Sequence, residues 1–178
     1  MKLKDYTIAE YKKLKNTTKI DVILNFVEPI NFFFGKQMNI GLMPYSNVRH
    51  CFNIVSNQMN WKNCEELFEI CFDVKDFEKA TMSEFFKARN FLIKEFKSTI
   101  EKENKLLNSE FNDDSYKWQE AGIERLKPYN DVISLDRLAQ RYNIYPFDLG
   151  RKPYNEVLYL MAMVKVDNEI NVAFSKIK

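Results

Sequence analysis

Histidine is almost missing from this chain: His50 is the only one among 178 residues. A two-histidine metal site and a histidine relay are therefore excluded. Glycine is scarce as well, with 4 copies, and neither a G-x-x-x-x-G-K nor a G-x-G-x-x-G phosphate loop occurs. Four glycines and 5 prolines allow few tight turns, which argues against an all-β fold and for helices. The three cysteines, Cys51, Cys64 and Cys71, contain no C-x-x-C pair. They match neither a disulfide framework nor a zinc knuckle, so reduced, metal-free thiols in a reducing compartment are expected. The first residues, Met-Lys-Leu-Lys-Asp-Tyr, hold no apolar core of a secretory leader. The longest near-apolar run, 157–164, is far short of a membrane span, and no membrane partner is expected. Neither charge dominates: 27 basic residues face 25 acidic ones, for a net +2. The two signs are interspersed, unlike a nucleic-acid footprint, so nucleic acid is not expected as a primary ligand.

What the chain has in quantity is aromatic carbon: 15 Phe, 9 Tyr and 2 Trp. A chain of this length buries roughly 70% of its unfolded surface and needs no metal or disulfide to fold. It also repeats a phrase. Gly41-Leu-Met-Pro44-Tyr45-Ser-Asn-Val48 returns as Gly150-Arg-Lys-Pro153-Tyr154-Asn-Glu-Val157. Gly at a helix end and Pro at the next helix start are helix punctuation. The phrase therefore predicts one helix–turn–helix unit used twice, with Tyr45 and Tyr154 in the first turn of the following helices.

Further signals predict a mainly α fold, a small helical domain built from such units. Thr7-Ile-Ala-Glu10 and Thr81-Met-Ser-Glu84 read as capping boxes. The first opens a short helix to about residue 15. A second helix follows from about residue 19, ended or kinked by Pro29. A third follows Pro44, with Val48, Cys51, Phe52 and Val55 on one face. Residues 65–74 alternate imperfectly and read as a short strand or loop-associated segment. The clearest helix covers 83–108, a rod of roughly 40 Å, with Phe85, Ala88, Leu92 and Phe96 at helical spacing. The polar segment 109–117 reads as a linker. It separates an N-terminal helical region, 1–108, from a C-terminal one, 118–178, expected as two packed subdomains. In the latter, helices are expected at 118–126, from 134 to about 142, and from 154 to 166 or beyond.

Candidate chemistry is thin. His50 and Cys51 are neighbours on a helix and point about 100° apart, a poor base–nucleophile pair. Asp113 and Asp114 fit a solvated loop better than an acid–base pair. Arg137, Arg141 and Lys152 fit a solvated basic face. No catalytic residue, cofactor or metal ligand is assigned. Phe32-Phe33-Phe34 is the most unusual run, since on a helix three adjacent rings point three ways. These rings, with Trp61 and Trp118, are the candidate interface residues, to be weighed against simple core packing.

The helix–turn–helix phrases resemble those of bacteriophage tail-assembly chaperones and related proteins of phage structural modules. The likeness rests on Met1–Tyr11 and on the runs Trp118-Gln-Glu-Ala-Gly122, Leu135-Asp-Arg-Leu-Ala139, Pro146-Phe-Asp-Leu-Gly150 and Pro153-Tyr-Asn-Glu-Val157-Leu. It implies a non-enzymatic virion structural or assembly protein, a tail or connector component or a chaperone. Such a protein would meet other virion proteins in several copies and assemble in the bacterial cytoplasm. The alternative is a phage-encoded binding module that inhibits a host factor.

Overall fold

The computed structural model describes residues 6–15, 17–57, 59–108 and 115–177. It is mainly helical, and among these residues there is no strand beyond isolated bridges. The helices are α1 (Ile8–Tyr11), α2 (Thr18–Leu24), α3 (Tyr45–Ser56), α4 (Trp61–Phe72), α5 (Met82–Leu107), α6 (Ser115–Glu120), α7 (Asn130–Tyr142), α8 (Pro146–Arg151) and α9 (Tyr154–Ser175). The chain forms two compact units. Unit 1 comprises Met1–Asn39 and His50–Ile100, and unit 2 comprises Ile40–Arg49 and Glu101–Lys178. This division differs from the expected regions 1–108 and 118–178. The first copy of the repeated phrase belongs with the second copy rather than with its chain neighbours. Within the expected linker, 109–114 lie outside the described residues, as do Asp113 and Asp114.

One backbone device organises each unit. In unit 1, Thr7 and Thr81 form an antiparallel bridge. Ile8 N–H donates to Ala80 C=O at 3.0 Å, and Met82 N–H donates to Tyr6 C=O at 2.8 Å. In unit 2, Pro44 and Pro153 bridge in the same way. Tyr45 N–H donates to Lys152 C=O at 2.9 Å, and Tyr154 N–H to Met43 C=O at 2.8 Å. Each bridging residue stands just before a helix, and the donor is that helix's first N–H. Those first N–H groups have no partner inside a helix. The bridge thus supplies a partner to two helices at once. Proline fits here because the bridging residue's own N–H is not used. The residues one and four beyond each bridge are all buried: Ile8 and Tyr11, Met82 and Phe85, Tyr45 and Val48, Tyr154 and Val157. Three of the four bridging positions, 7, 44 and 81, are 37 residues apart in sequence.

The local chemistry of the starts differs. Thr7 makes the full capping box: its N–H donates to Glu10 Oε2 at 2.8 Å, and Glu10 N–H donates to Thr7 Oγ1 at 3.3 Å. Thr81 makes half of one. Glu84 N–H donates to its hydroxyl at 3.2 Å, but the Glu84 carboxylate instead accepts from Phe34 N–H at 3.0 Å.

Several expectations are corrected. Residues 65–74 are not a strand: 61–72 are helix α4, started by Asn60, whose side chain accepts from Asn63 N–H. The burial of Cys64, Leu67, Phe68, Cys71 and Phe72 follows a helical period of three and four, which the local alternation obscured. Helix α2 ends at Leu24, five residues before Pro29, because Asn90 takes its end: the Asn90 amide donates to the carbonyls of Leu24 and Val27 at 3.0 and 3.1 Å. The helix expected at 118–126 breaks at Gly122, where φ is +82, and continues as a 3-10 turn, Ile123–Tyr129. Phe32-Phe33-Phe34 is not helical. Phe33 and Lys36 exchange both backbone hydrogen bonds, at 3.0 and 2.9 Å, across Phe34 and Gly35. Both turn residues have positive φ, 47 and 77, as a two-residue hairpin turn requires. The Asn31 side chain clasps Met38 N–H and C=O below it.

The repeated phrase sits at helix boundaries as expected, but its glycines serve differently. Neither Gly41 nor Gly150 has a positive φ, so neither is a left-handed helix stop. In the paired arrangement each faces the residue after the other phrase's tyrosine. A Cβ on Gly41 would stand 2.2 Å from Asn155 Nδ2, whereas one on Gly150 would find Ser46 Cβ at 3.7 Å and Leu135 Cδ1 at 3.6 Å. Opposite outcomes follow. Gly41→Ala should destabilise by at most about 1 kcal/mol, the work of turning the exposed Asn155 side chain aside, and Asn155→Ala should relieve that loss. Gly150→Ala, inside α8, should stabilise by about 0.5–1 kcal/mol. Urea unfolding midpoints of the three single variants and the Gly41–Asn155 double variant measure both effects.

Candidate functional site

In unit 2 the two repeated phrases meet ring to ring. Tyr45 and Tyr154 stack with centroids 5.9 Å apart and planes 14° from parallel. The Tyr45 hydroxyl donates to Met161 Sδ at 3.7 Å. The Tyr154 hydroxyl instead donates to Glu103 Oε2 at 2.6 Å. Glu103 is the one buried charged residue of the described core, 8% exposed, and Arg49 Nη1 donates to its other oxygen at 2.7 Å. A buried carboxylate needs such donors, since an unpaired one is expensive. Burial first, and then the hydrogen bond to Glu103, hold the Tyr154 phenol above its usual range. The trio is therefore a polar latch on the paired turns, with no nucleophile or free base in it. Glu103 falls within the helix expected over 83–108, but its partners lie 54 and 51 residues away, so local spacing does not pair it.

The cysteines lie in unit 1 as free, buried thiols. Burial raises the Cys64 thiol above its ordinary value, and a hydrogen bond with Cys51, followed by burial, raises Cys71. Both remain protonated and poorly nucleophilic at neutral pH. His50 Nε2 lies 2.8 Å from Glu66 Oε1 at the surface. Among the described residues no group of three or more His, Cys, Asp or Glu could hold a metal ion. No described helix is long and apolar enough to cross a membrane.

The candidate interface residues separate. Phe33 is wholly buried, edge-on to Phe68 at 4.6 Å and beside Phe72 at 5.6 Å. Phe32 and Phe34 flank it, half-exposed, at the hairpin tip. Trp61 opens α4 and joins an aromatic cluster, 5.7 Å from Phe85 and 6.4 Å from Phe77, with the Lys12 ammonium 4.9 Å over its ring. Beside it lies a cleft of about 310 Å³ lined by Asn25, Trp61, Cys64, Phe85, Phe86 and Arg89. The side chain of Trp118 lies outside the described residues. Gly41, Pro44, Tyr45, Gly150, Pro153 and Tyr154, read as turns, come together as one structural joint.

Other exposed apolar groups escaped the sequence reading. Val22, Ile23 and Phe26 stand in water at the end of α2, and Tyr159, Met163, Val166, Ile170 and Phe174 along α9. No protein-family model matches the chain, and no curated protein or solved structure is significantly similar to it.

Two expectations follow from this geometry. Folded Tyr154 binds its proton more tightly than an unfolded tyrosine, whose pKa is about 10. The stability it contributes is complete below that pH and is lost as pH rises above it. Tyr154→Phe should therefore be less stable than wild type by about 1.5–3 kcal/mol at pH 7, and the gap should narrow between pH 10 and 11 in thermal unfolding. Phe33→Asp should abolish cooperative unfolding, because it buries an unpaired charge. Phe32→Asp should leave the unfolding transition within about 0.5 kcal/mol, and circular-dichroism melts of the two separate core from surface.

Proposed function

We propose that this chain is a non-enzymatic structural or assembly protein of a bacteriophage virion, a tail or connector component or an assembly chaperone. It acts by protein–protein contact in several copies. The observation that carries the reading is the amount of large apolar side chain left in water on otherwise well-packed units. Phe26 is 84% exposed and Phe174 75%. Where such groups line up, as along α9, they mark a surface that another protein covers. The phage assignment is supported by the likeness of the N-terminal and C-terminal phrases to tail-assembly proteins. Working by contact also suits the polar groups: the buried carboxylate is held by two donors, and the Cys64 and Cys71 thiols are held protonated.

Mass spectrometry of purified particles from the encoding phage should find the chain, or find it with virion precursors if it is a chaperone. Phe32→Asp, folded but altered at the hairpin tip, should weaken its recovery with those proteins at least about tenfold. Recovery only with a host factor, and never with particles or precursors, would replace this reading with the inhibitor alternative.

A further inference from the structure

Helix α9 carries two apolar stripes, and only one is used. On the inner side, Tyr154 and Val157 are buried, Met161 meets the Tyr45 hydroxyl, and Lys165 Nζ reaches back to the carbonyls of Leu106 and Asn108 at 3.0 and 2.8 Å. On the outer side stand Tyr159, Met163, Val166, Ile170 and Ala173, with Ile177 just past the helix end. These positions are separated by steps of four, three, four, three and four. That spacing is the seam of a coiled coil, two apolar positions in every seven. All six are exposed, from 46% at Met163 to 75% at Ile177 among the larger ones. From residue 168 to 177 the chain is exposed on every side, so nothing in unit 2 covers this stripe.

We propose that the outer stripe of α9 pairs in parallel with the same stripe of a second copy of this chain. This deepens the contact reading above by naming one partner. A heptad seam needs a helix bearing the same spacing, and a second copy presents one. Five large side chains of roughly 100 Å² exposed area each, with Phe174 beside them, give about 600 Å² per copy. The pair then buries on the order of 1,200 Å², the lower edge of specific stable interfaces. Charge selects the direction. In the parallel register Asp167 faces Ala162 of the second copy, and Glu169 faces its Phe174, so no like charges meet. An antiparallel register centred on Asn168 would align the same layers, but it would set Asp167 against Asp167 and Glu169 against Glu169. Asp167 is moreover held by Arg141 at 2.7 Å, and Glu169 lies 3.5 Å from Lys165, on the flanks of the seam. Ile170 and Ile177 occupy the position where parallel two-stranded coils favour β-branched residues.

Sedimentation velocity of the full chain at about 50 µM tests this. Wild type is expected as a dimer. Val166→Asp and Ile170→Asp, both at exposed sites, are expected as monomers with an unchanged far-ultraviolet spectrum, their dimer Kd raised at least about a hundredfold. Ile170→Cys should cross-link to a covalent dimer with oxidised glutathione, whereas wild type, whose cysteines are buried, should not. A monomeric wild type, or variants that remain dimers, overturns the pairing. A dimer that Ile170→Cys fails to cross-link overturns its parallel direction. A monomer found in particles refutes the pairing alone, and a dimer absent from particles and precursors refutes the virion reading alone.

Discussion

The first N–H of an α-helix has no acceptor within the helix, and in each unit two helices meet this need in the same way. Their starts lie antiparallel, and each first N–H donates to the carbonyl just before the other's bridging residue. Placing two helix N-termini side by side also brings two positive dipole ends together. Three of the four helices answer with a glutamate in their first turn, Glu10, Glu84 and Glu156. Once the bridge is made, the side chains one and four residues beyond it point into a common interior, and the core of each unit grows from there.

The cores differ in how they use that start. In unit 1 the bridge leads into an aromatic cluster: Phe85 lies 4.8 Å from Phe68 and 5.4 Å from Phe77, and Tyr11 is edge-on to Phe86 at 5.9 Å. Such pairs add about 0.5–1.5 kcal/mol each beyond area burial. The hairpin at Phe34-Gly35 delivers Phe33 to the cluster's far side. In unit 2 two stacked tyrosines replace the phenylalanines. Their hydroxyls must then be satisfied, which ties the joint to Met161 and to the Glu103–Arg49 pair. The two copies of the phrase are thus alike in backbone and unlike in polar chemistry.

The surface follows from the same geometry. A helix packed along one stripe shows the rest of its residues to water. In α9 the part left outside is as apolar as the part inside, so the helix lacks the one-sided pattern of an ordinary surface helix. Apolar carbon kept in water lowers solubility, and here it recurs along the helix at a regular seven-residue spacing. The exposed end of α2 and the hairpin tip add smaller apolar patches.

The helical class, the capped starts at Thr7 and Thr81, the long α5 and the position of the repeated phrase at helix boundaries are all legible in the order of residues. These depend on residues within a turn or two of one another, so local spacing reports them. It could not show that 65–72 belong to a helix, because burial on that face comes from distant rings. Nor could it show the turn at Phe34-Gly35, since Phe is a poor residue for the positive φ it adopts at Phe34. The candidate surfaces were half legible: Phe32 and Phe34 do face water, but Phe33 does not, and the α9 stripe was hidden by a second apolar stripe on the same helix. The pairing of the phrase at 41–48 with the one at 150–157, and of Thr7 with Thr81, emerges only in the folded chain. The bridges are made by backbone groups, which every residue carries alike, so threonine starts and proline starts give the same joint from unlike sequences. Glu103 shows the same limit in side chains. Its burial is tolerable only because Arg49 and Tyr154 arrive from other segments, and no pattern around residue 103 announces them.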